Sequence, residues 1–502
     1  MARYIMANRR AGLFSTDAKL RSRAALDVSY AMEFAATSNL VNEFSGRSET
    51  SRRTLVLDID PAEVAAKKKQ LPPQVMIEPE ILHYTESALP LDLAALRRAS
   101  RAKDLIPGTG TTVSYKVRGS GEVLVGAEVE LFLRGSSGLS KEIKGVTDAA
   151  GEVTFEISTF WHVAALVVAP VGGYWRHLVR GPRNGQTVTL RRLPNTGRTA
   201  WWHRLHGVNN FSAERGATVK VGVIDTGLGA HPNLSHARDQ GAFIAGGFDA
   251  AAGADVGAHG THVAGIIGAR PAARDEIAGI APGVELFTAR VFPPDAGANQ
   301  GDIANALDHL SSVNECDLVN LSLGSAESSA IEHDSIIDAL ERGTLCVCAA
   351  GNHGTEPVSF PAGFSETLAI TAIGLDGWAP DGSLAALHFP EDPLKFGDDG
   401  YFLASFSGFG DAVSAAGAGV GIISTVPPRD GYAAPYAVMD GTSMASPAAC
   451  AALAAMLSTQ GDYLAMPRNI MRAQHARSLL RLHARDLGLD AVFQGHGVPL
   501  AN

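Results

Sequence analysis

Apolar runs that break off at a polar residue beside glycine recur along the second half of the chain, with helical patterns between them. Val221-Gly-Val-Ile224 stops at Asp225, and Leu318-Val-Asn-Leu321 passes into Ser322, Leu323 and Gly324. Leu345-Cys-Val-Cys-Ala-Ala-Gly351 stops at Asn352. Together with residues 284–292 these runs read as strands, and residues 302–313 and 331–342 carry the helical period. Such alternation predicts an α/β fold, a mostly parallel doubly wound sheet with helices on both faces. Met444 to Leu457 reads as a helix buried on most of its circumference, with Pro447 near its first turn.

The first half is patterned differently. Tyr4 to Asn8, Thr54 to Ile59 and Val75 to Glu80 read as strands, and residues 17–34 read as a helix. Asp60-Pro61 starts a second helix running to about residue 70, with Asp60 as its cap. Ile81-Leu-His-Tyr84 follows. From residue 111 to 192, short apolar strands are separated by turns such as Asp148-Ala-Ala-Gly151. Examples are Val123 to Val125, Glu128 to Leu133, Glu152 to Ile157 and Ala164 to Val168, a pattern that predicts a small β-sandwich. The expected domains are 1–100 (a small α/β unit), 108–194 (the sandwich) and 200–502 (the large α/β domain).

Composition narrows the function class. The 502 residues are 46% hydrophobic and 19% charged, which supports a large core. A net charge of -10 argues against a nucleic-acid partner. No stretch approaches the roughly twenty continuous apolar residues of a membrane span. Asn8, Arg9 and Arg10 are followed by no apolar leader region, which predicts a cytoplasmic protein. A misassigned start or non-classical export makes secretion the alternative. Cys316, Cys346, Cys348 and Cys450 are expected as free buried thiols. Arg472, Arg477, Arg481 and Arg485 are expected on a solvated helix face.

The candidate chemistry lies at the strand ends. Asp225 and Asn352 sit at carboxyl ends of strands, where sites form in open α/β sheets. His259 lies where a small-residue loop enters a helix, and Ser443 where a glycine turn does. A serine so placed is commonly only a helix cap. Asp, then His, then Ser is also the chain order of one triad solution. A serine hydroxyl needs an adjacent base to become a nucleophile, and imidazole titrates in the right range. His262, three residues after His259, competes for the base role. The pair also has metal-ligand spacing, although HGTH lacks the helical glutamate of a zinc-peptidase motif.

The motifs VGVIDTG, HGTHVAG, NLSLG, AAGN and GTSMASP, in this order, resemble the subtilisin-like (S8) serine peptidases from about Trp202 to the end. The resemblance implies a serine endopeptidase acting on polypeptides, with Asp225, His259 and Ser443 as the triad and Asn352 in the oxyanion hole. It also implies that His262 is structural and that Ser322, Leu323 and Gly324 pair with extended substrate. Ala349, Ala350 and Gly351 would form the opposite wall of the primary pocket. The chemistry needs no cofactor or metal. Residues 378–402 look inserted relative to the family pattern, and their Glu391, Asp392, Asp398 and Asp399 are candidate ligands for a structural calcium. Their spacing matches no calcium motif, so a solvated loop is the expected reading.

The α/β unit resembles the subtilase propeptide in pattern and position. That makes it a partner of the enzyme, folding with it and holding it as a self-inhibited precursor. GVTDAAGEVTFEI resembles the carboxypeptidase-regulatory or transthyretin-like sandwiches. With a sandwich intervening, cleavage is open between a point near Tyr84, a point near residues 198–202, and no cleavage at all. A permanently closed scaffold that binds through its sandwich is the non-enzymatic alternative.

Overall fold

Alternation in the first unit serves two faces at once. The computed structural model describes residues 1–9, 39–44, 52–71, 75–85, 110–135, 138–429 and 435–502. It opens with β1 (Ala2–Asn8), β2 (Asn39–Phe44), β3 (Thr54–Ile59) and β4 (Val75–Pro79), an antiparallel sheet in the order β2-β3-β1-β4. Met6, Leu55, Leu57 and Ile77 point to one face and pack around Val64. Ile5, Ala7 and Val56 point to the other, against Ala304 and Ile331 of the large domain. The helix Pro61–Lys67 is capped by Asp60, which accepts from Ala62 N–H at 2.8 Å; it tightens into a 3-10 turn over Lys68–Gln70. The helix expected over 17–34 lies outside the described residues. β5 (Leu82–Thr85) leaves this sheet altogether.

Seven strands build two further sheets. They are β6 (Gly110–Arg118), β7 (Glu128–Gly135), β8 (Ser140–Val146), β9 (Glu152–Ser158), β10 (Trp161–Ala169), β11 (His177–Arg180) and β12 (Thr187–Thr189). Orders β11-β10-β7-β8 and β12-β6-β9 enclose Tyr115, Leu131, Phe155 and Leu166. Val123 to Val125, expected as a strand, is a loop with a single bridge from Val123 to Arg118. Phe132, Ala165, Val167 and Leu178 turn the other way and pack on Leu384.

That contact corrects the reading of residues 378–402 as a solvated loop. Trp378 meets Trp175 and Trp202 edge-on at 5.9 and 5.8 Å and donates its indole N–H to the Gly421 carbonyl at 2.8 Å. Leu384, Ala385 and His388 are buried, and Ser383 bridges to His177. The acidic part, residues 391–400, is mostly exposed. There Asp392 caps a short turn and Asp399 pairs with Arg485 at 2.7 Å.

The large domain is a nine-stranded sheet. Its order is β15 (Gly247–Asp249), β14 (Arg238–Ile244), β16 (Glu285–Arg290), β13 (Lys220–Asp225), β18 (Leu318–Leu321), β20 (Leu345–Ala349), β21 (Leu368–Leu375) and β22 (Tyr401–Leu403), with β23 (Val413–Ala418) also on β21. β17 (Ala298–Asn299) and β19 (Leu323–Gly324) lie outside it. Strands β14, β16, β13, β18, β20, β21 and β23 pair in parallel, and β15 and β22 pair antiparallel. Period-two alternation feeds two cores. Val221, Val223, Leu318, Leu345 and Val347 face the Thr442–Leu457 helix. Ile224, Val319, Leu321, Cys346 and Cys348 face the helices Gln300–Ser312 and Ala330–Glu341. Strands covered on both sides are apolar throughout, which is why these runs read as continuous.

The four cysteines are buried and free. Burial pushes the Cys346 thiol up to about 12. The helix Ile470–Leu482 corrects the expectation of a solvated arginine face. Arg472 is buried and binds Asp317 Oδ1 through Nη2 at 2.8 Å and Nε at 3.1 Å, and Arg468 adds a contact at 3.0 Å. Arg477 donates to the Ser365 and Thr367 carbonyls at 2.6 and 3.1 Å. Removing one partner of a buried pair strands the other charge. Asp317→Ala is therefore expected to cost about 3–5 kcal/mol in urea unfolding; a loss below about 1 kcal/mol would contradict this role.

Candidate active site

Asp225 is the last residue of β13, between β16 and β18, and is buried. Its Oδ1 accepts from Thr226 N–H and from His259 Nδ1, both at 2.7 Å. His259 opens the helix His259–Gly268, whose entry is organised by one carboxylate. Asp255 Oδ1 accepts from Gly257 and Ala258 N–H at 2.9 Å each and from the Thr226 hydroxyl at 2.8 Å. Its Oδ2 takes the N–H of Thr261 at 2.9 Å and that residue's hydroxyl. Free N–H groups at a helix start need such a partner. Gly260 is required by closeness, because a Cβ there would lie 2.3 Å from the Gly227 carbonyl oxygen.

Ser443 stands in the first turn of the buried Thr442–Leu457 helix. Gly441 precedes it at φ 153°, ψ 161°, a region open only to glycine. Pro447 sits in the second turn rather than the first. Lacking an N–H, it cannot bond the carbonyl four residues back, which belongs to Ser443. That carbonyl accepts instead from the Ser322 hydroxyl at 2.8 Å, while the Ser443 hydroxyl donates to the Ser322 carbonyl at 3.0 Å. Asn320 steadies both strands of this lock, giving its amide to Ser322 Oγ at 2.9 Å and accepting from Ser446 Oγ at 2.7 Å. Ser322 is thus tied to the backbone of Ser443, a link absent from its expected role in the substrate edge.

Asn352 follows β20. Its side-chain oxygen accepts from Thr442 N–H at 2.9 Å and from the Thr442 hydroxyl at 3.0 Å, so its amide nitrogen faces away from Thr442. The Thr442 hydroxyl in turn accepts from Gly351 N–H at 3.1 Å. Ala349 and Ala350 are fully buried at the end of β20. His262 is buried, and its Nε2 donates between the carbonyls of Ile422 and Ala437, both at 3.1 Å. Burial, then the neighbouring His259, lowers it to about 3, which leaves a neutral ring with a structural task. Among the described residues no group of three or more His, Cys, Asp or Glu side chains is gathered to hold a metal. No helix among them is long and apolar enough to cross a membrane.

The cleft beside Ser443 holds a strand of the same chain. β5 lies between β17 and β19, antiparallel to both, with His83 opposite Ala298, Tyr84 opposite Gly324 and Thr85 opposite Leu323. Gln300 clamps its approach, accepting from Ile81 N–H at 2.9 Å and donating to the Pro79 carbonyl at 2.8 Å. Glu78 caps the Ala330–Glu341 helix through Ala330 N–H at 2.8 Å and the Ser329 hydroxyl at 2.7 Å. Arg9 reaches Asp334 at 2.9 Å and Arg52 reaches Asp338 at 3.0 Å. Leu82 and Tyr84 point outward, while His83 is wholly buried with its Nε2 at 3.2 Å from Glu332 Oε2. Burial opposes the charged imidazole, but the Glu332 carboxylate outweighs it and His83 is raised above its ordinary value. Sequence patterning missed β17, Gln300 and Glu332. Two residues are too few to show a period, and a glutamate in a first helical turn reads as an ordinary dipole partner.

The subtilase family (peptidase S8) matches residues 216–498. The minor extracellular protease Epr of Bacillus subtilis (strain 168) is 34% identical over 244 residues, 48% of this chain and 32% of its own. Subtilisin BL of Lederbergia lenta is 33% identical over 232 residues, 46% of this chain and 73% of its own. Subtilisin DY of Bacillus licheniformis is 28% identical over 293 residues, 57% and 89% of the two chains. The chain thus spans about a third of Epr and most of the two subtilisins.

The His83 pair sets a pH dependence. Glu332 is the charged group facing the ring; the Cys346 and Cys348 thiols, which feel the same carboxylate, are pushed up by burial and stay neutral. A raised histidine gives stability that is complete below its free value and lost as pH rises through the bound one. Protection of residues 75–85 from hydrogen exchange in full-length Ser443→Ala is therefore expected to fall as pH rises from the ordinary histidine range through the raised value of His83. In a His83→Gln background that dependence should vanish, whereas a flat profile with His83 intact would contradict the assignment.

Proposed function

The chain belongs to the subtilase family of serine endopeptidases, and from that premise we propose that it cleaves polypeptides through Asp225, His259 and Ser443, from a precursor that holds itself closed. His259 Nε2 takes the Ser443 proton as Oγ attacks the scissile carbonyl carbon. Asp225 holds Nδ1–H at 2.7 Å, fixes the tautomer and stabilises the imidazolium. The Asn352 amide and the Ser443 backbone N–H, at the positive end of a helix, receive the oxyanion. His259 then passes the proton to the leaving amine as the C–N bond breaks, and water releases the acyl group by the same route. No cofactor enters these steps.

Substrate lies extended between β17 and β19, with Ser322, Leu323 and Gly324 on one side and Ala349, Ala350 and Gly351 walling the primary pocket. The observation that carries this reading is the seating of Leu82–Thr85 as the middle strand between those two edges. The first sheet with β5 is then the propeptide, and the cut falls just past Thr85. The sandwich stays with the enzyme, anchored through Trp378 and through Gly173 N–H on the Tyr436 carbonyl at 2.9 Å. The filled cleft also suits the second reading, a scaffold that never opens.

Intact mass over time, with a fluorophosphonate probe, separates the two. Wild type is expected to lose a piece ending just past Thr85 and to take up the probe, while Ser443→Ala does neither. Asp225→Asn should stay folded and lose about 10⁴-fold in kcat. Wild type that stays full length and unlabelled after limited proteolysis of its amino-terminal part would favour the scaffold.

A further inference from the structure

We propose that Glu332 is a specificity residue of the open cleft, selecting substrates with a basic side chain at the position that His83 fills in the precursor. The inference rests on the peptidase reading above and names one side-chain demand of that site.

The His83–Glu332 pair joins two parts of different fate. His83 rides on the strand that leaves; Glu332 is fixed in the first turn of the Ala330–Glu341 helix, its own N–H bonded to the Ser329 hydroxyl at 3.2 Å. Both side chains are wholly buried. The second carboxylate oxygen, Oε1, is buried with no hydrogen-bond partner among the described residues. Once β5 departs, Glu332 loses the cation it faces, and the next strand in the slot determines whether it regains one.

Backbone pairing with β17 and β19 makes no demand on side chains, so selectivity has to come from inward-facing positions. Leu82 and Tyr84 face out and exert none. The fit at His83 is close, since a Cβ on Gly297 would come within 2.9 Å of the His83 carbonyl oxygen. A neutral occupant there leaves a buried carboxylate unpaired, whereas histidinium, lysine or arginine satisfies it and can reach Oε1 as well. Register locates the subsite. Ser322, whose carbonyl holds the Ser443 hydroxyl at 3.0 Å, is one residue before the Leu323 that pairs with Thr85. A substrate strand in this register presents its next residue to Ser322, just before the cut, which makes the His83 position the fourth residue upstream of the scissile bond.

The test uses self-processed enzyme and quenched peptides identical except at that fourth residue, with His, Lys, Arg, Gln or Leu. The basic peptides are expected to exceed Gln and Leu by about tenfold or more in kcat/KM, chiefly through KM. In Glu332→Gln the ratio should collapse to near one. Equal turnover of all five by wild type, or a preference that survives in Glu332→Gln, overturns the proposal and leaves the peptidase reading standing. No turnover together with no fluorophosphonate labelling removes both. If Glu332→Gln fails to fold, full-length Ser443→Ala carrying His83→Lys or His83→Leu serves instead. Lysine should keep residues 75–85 protected from exchange and leucine should expose them; equal protection in the two overturns the proposal.

Discussion

Two short strand edges face each other across the cleft, and each needs a backbone partner. β17 and β19 contribute four residues between them, too few to form a sheet with each other across the gap. A third strand inserted between them satisfies both ladders at once. The first unit supplies that strand, and its docking surface serves the same end. Glu78 on a helix start, Gln300 on the Ile81 amide and the Ile5–Val56 face on Ala304 all deliver β5 into the slot. A chain entering this slot passes Ser322, and Ser322 is bonded twice to Ser443. One residue therefore links the strand in the slot to Ser443.

The same lock shows how a proline enters the helix that carries Ser443 without breaking it. Pro447 removes the bond that would close on the Ser443 carbonyl, and Ser322 Oγ replaces it. The neighbourhood of Ser443 is thereby defined from outside its own helix.

What the sequence made legible was whatever backbone chemistry forces into a local pattern. Glycines at 260 and 441 mark a close approach and a glycine-only conformation, and they bracket the histidine and the serine. Asp225, which ends β13, and Asn352, three residues past β20, were legible because buried parallel strands are continuous apolar runs that stop at or near them. Partnerships between distant segments were not legible. Arg472 looks like any exposed helical arginine until Asp317, 155 residues away, is placed under it. Residues 378–402 looked like a solvated insertion because their polar end dominates the composition, whereas Trp378 and Leu384 form the seat of the sandwich. Val123 to Val125 has strand composition but is held as a loop with one bridge to Arg118.

On the proposed reading the amino-terminal strand β5 occupies the place of the substrate. Hydrogen exchange at the amides of residues 298–299 and 323–324 tests it most directly, before and after removal of the segment ending near Thr85. Slow exchange is expected in the full-length chain, fast exchange once the segment is gone, and slow exchange again when a non-cleavable substrate analogue is added. Exchange at these amides that ignores both the segment and the analogue would contradict that reading.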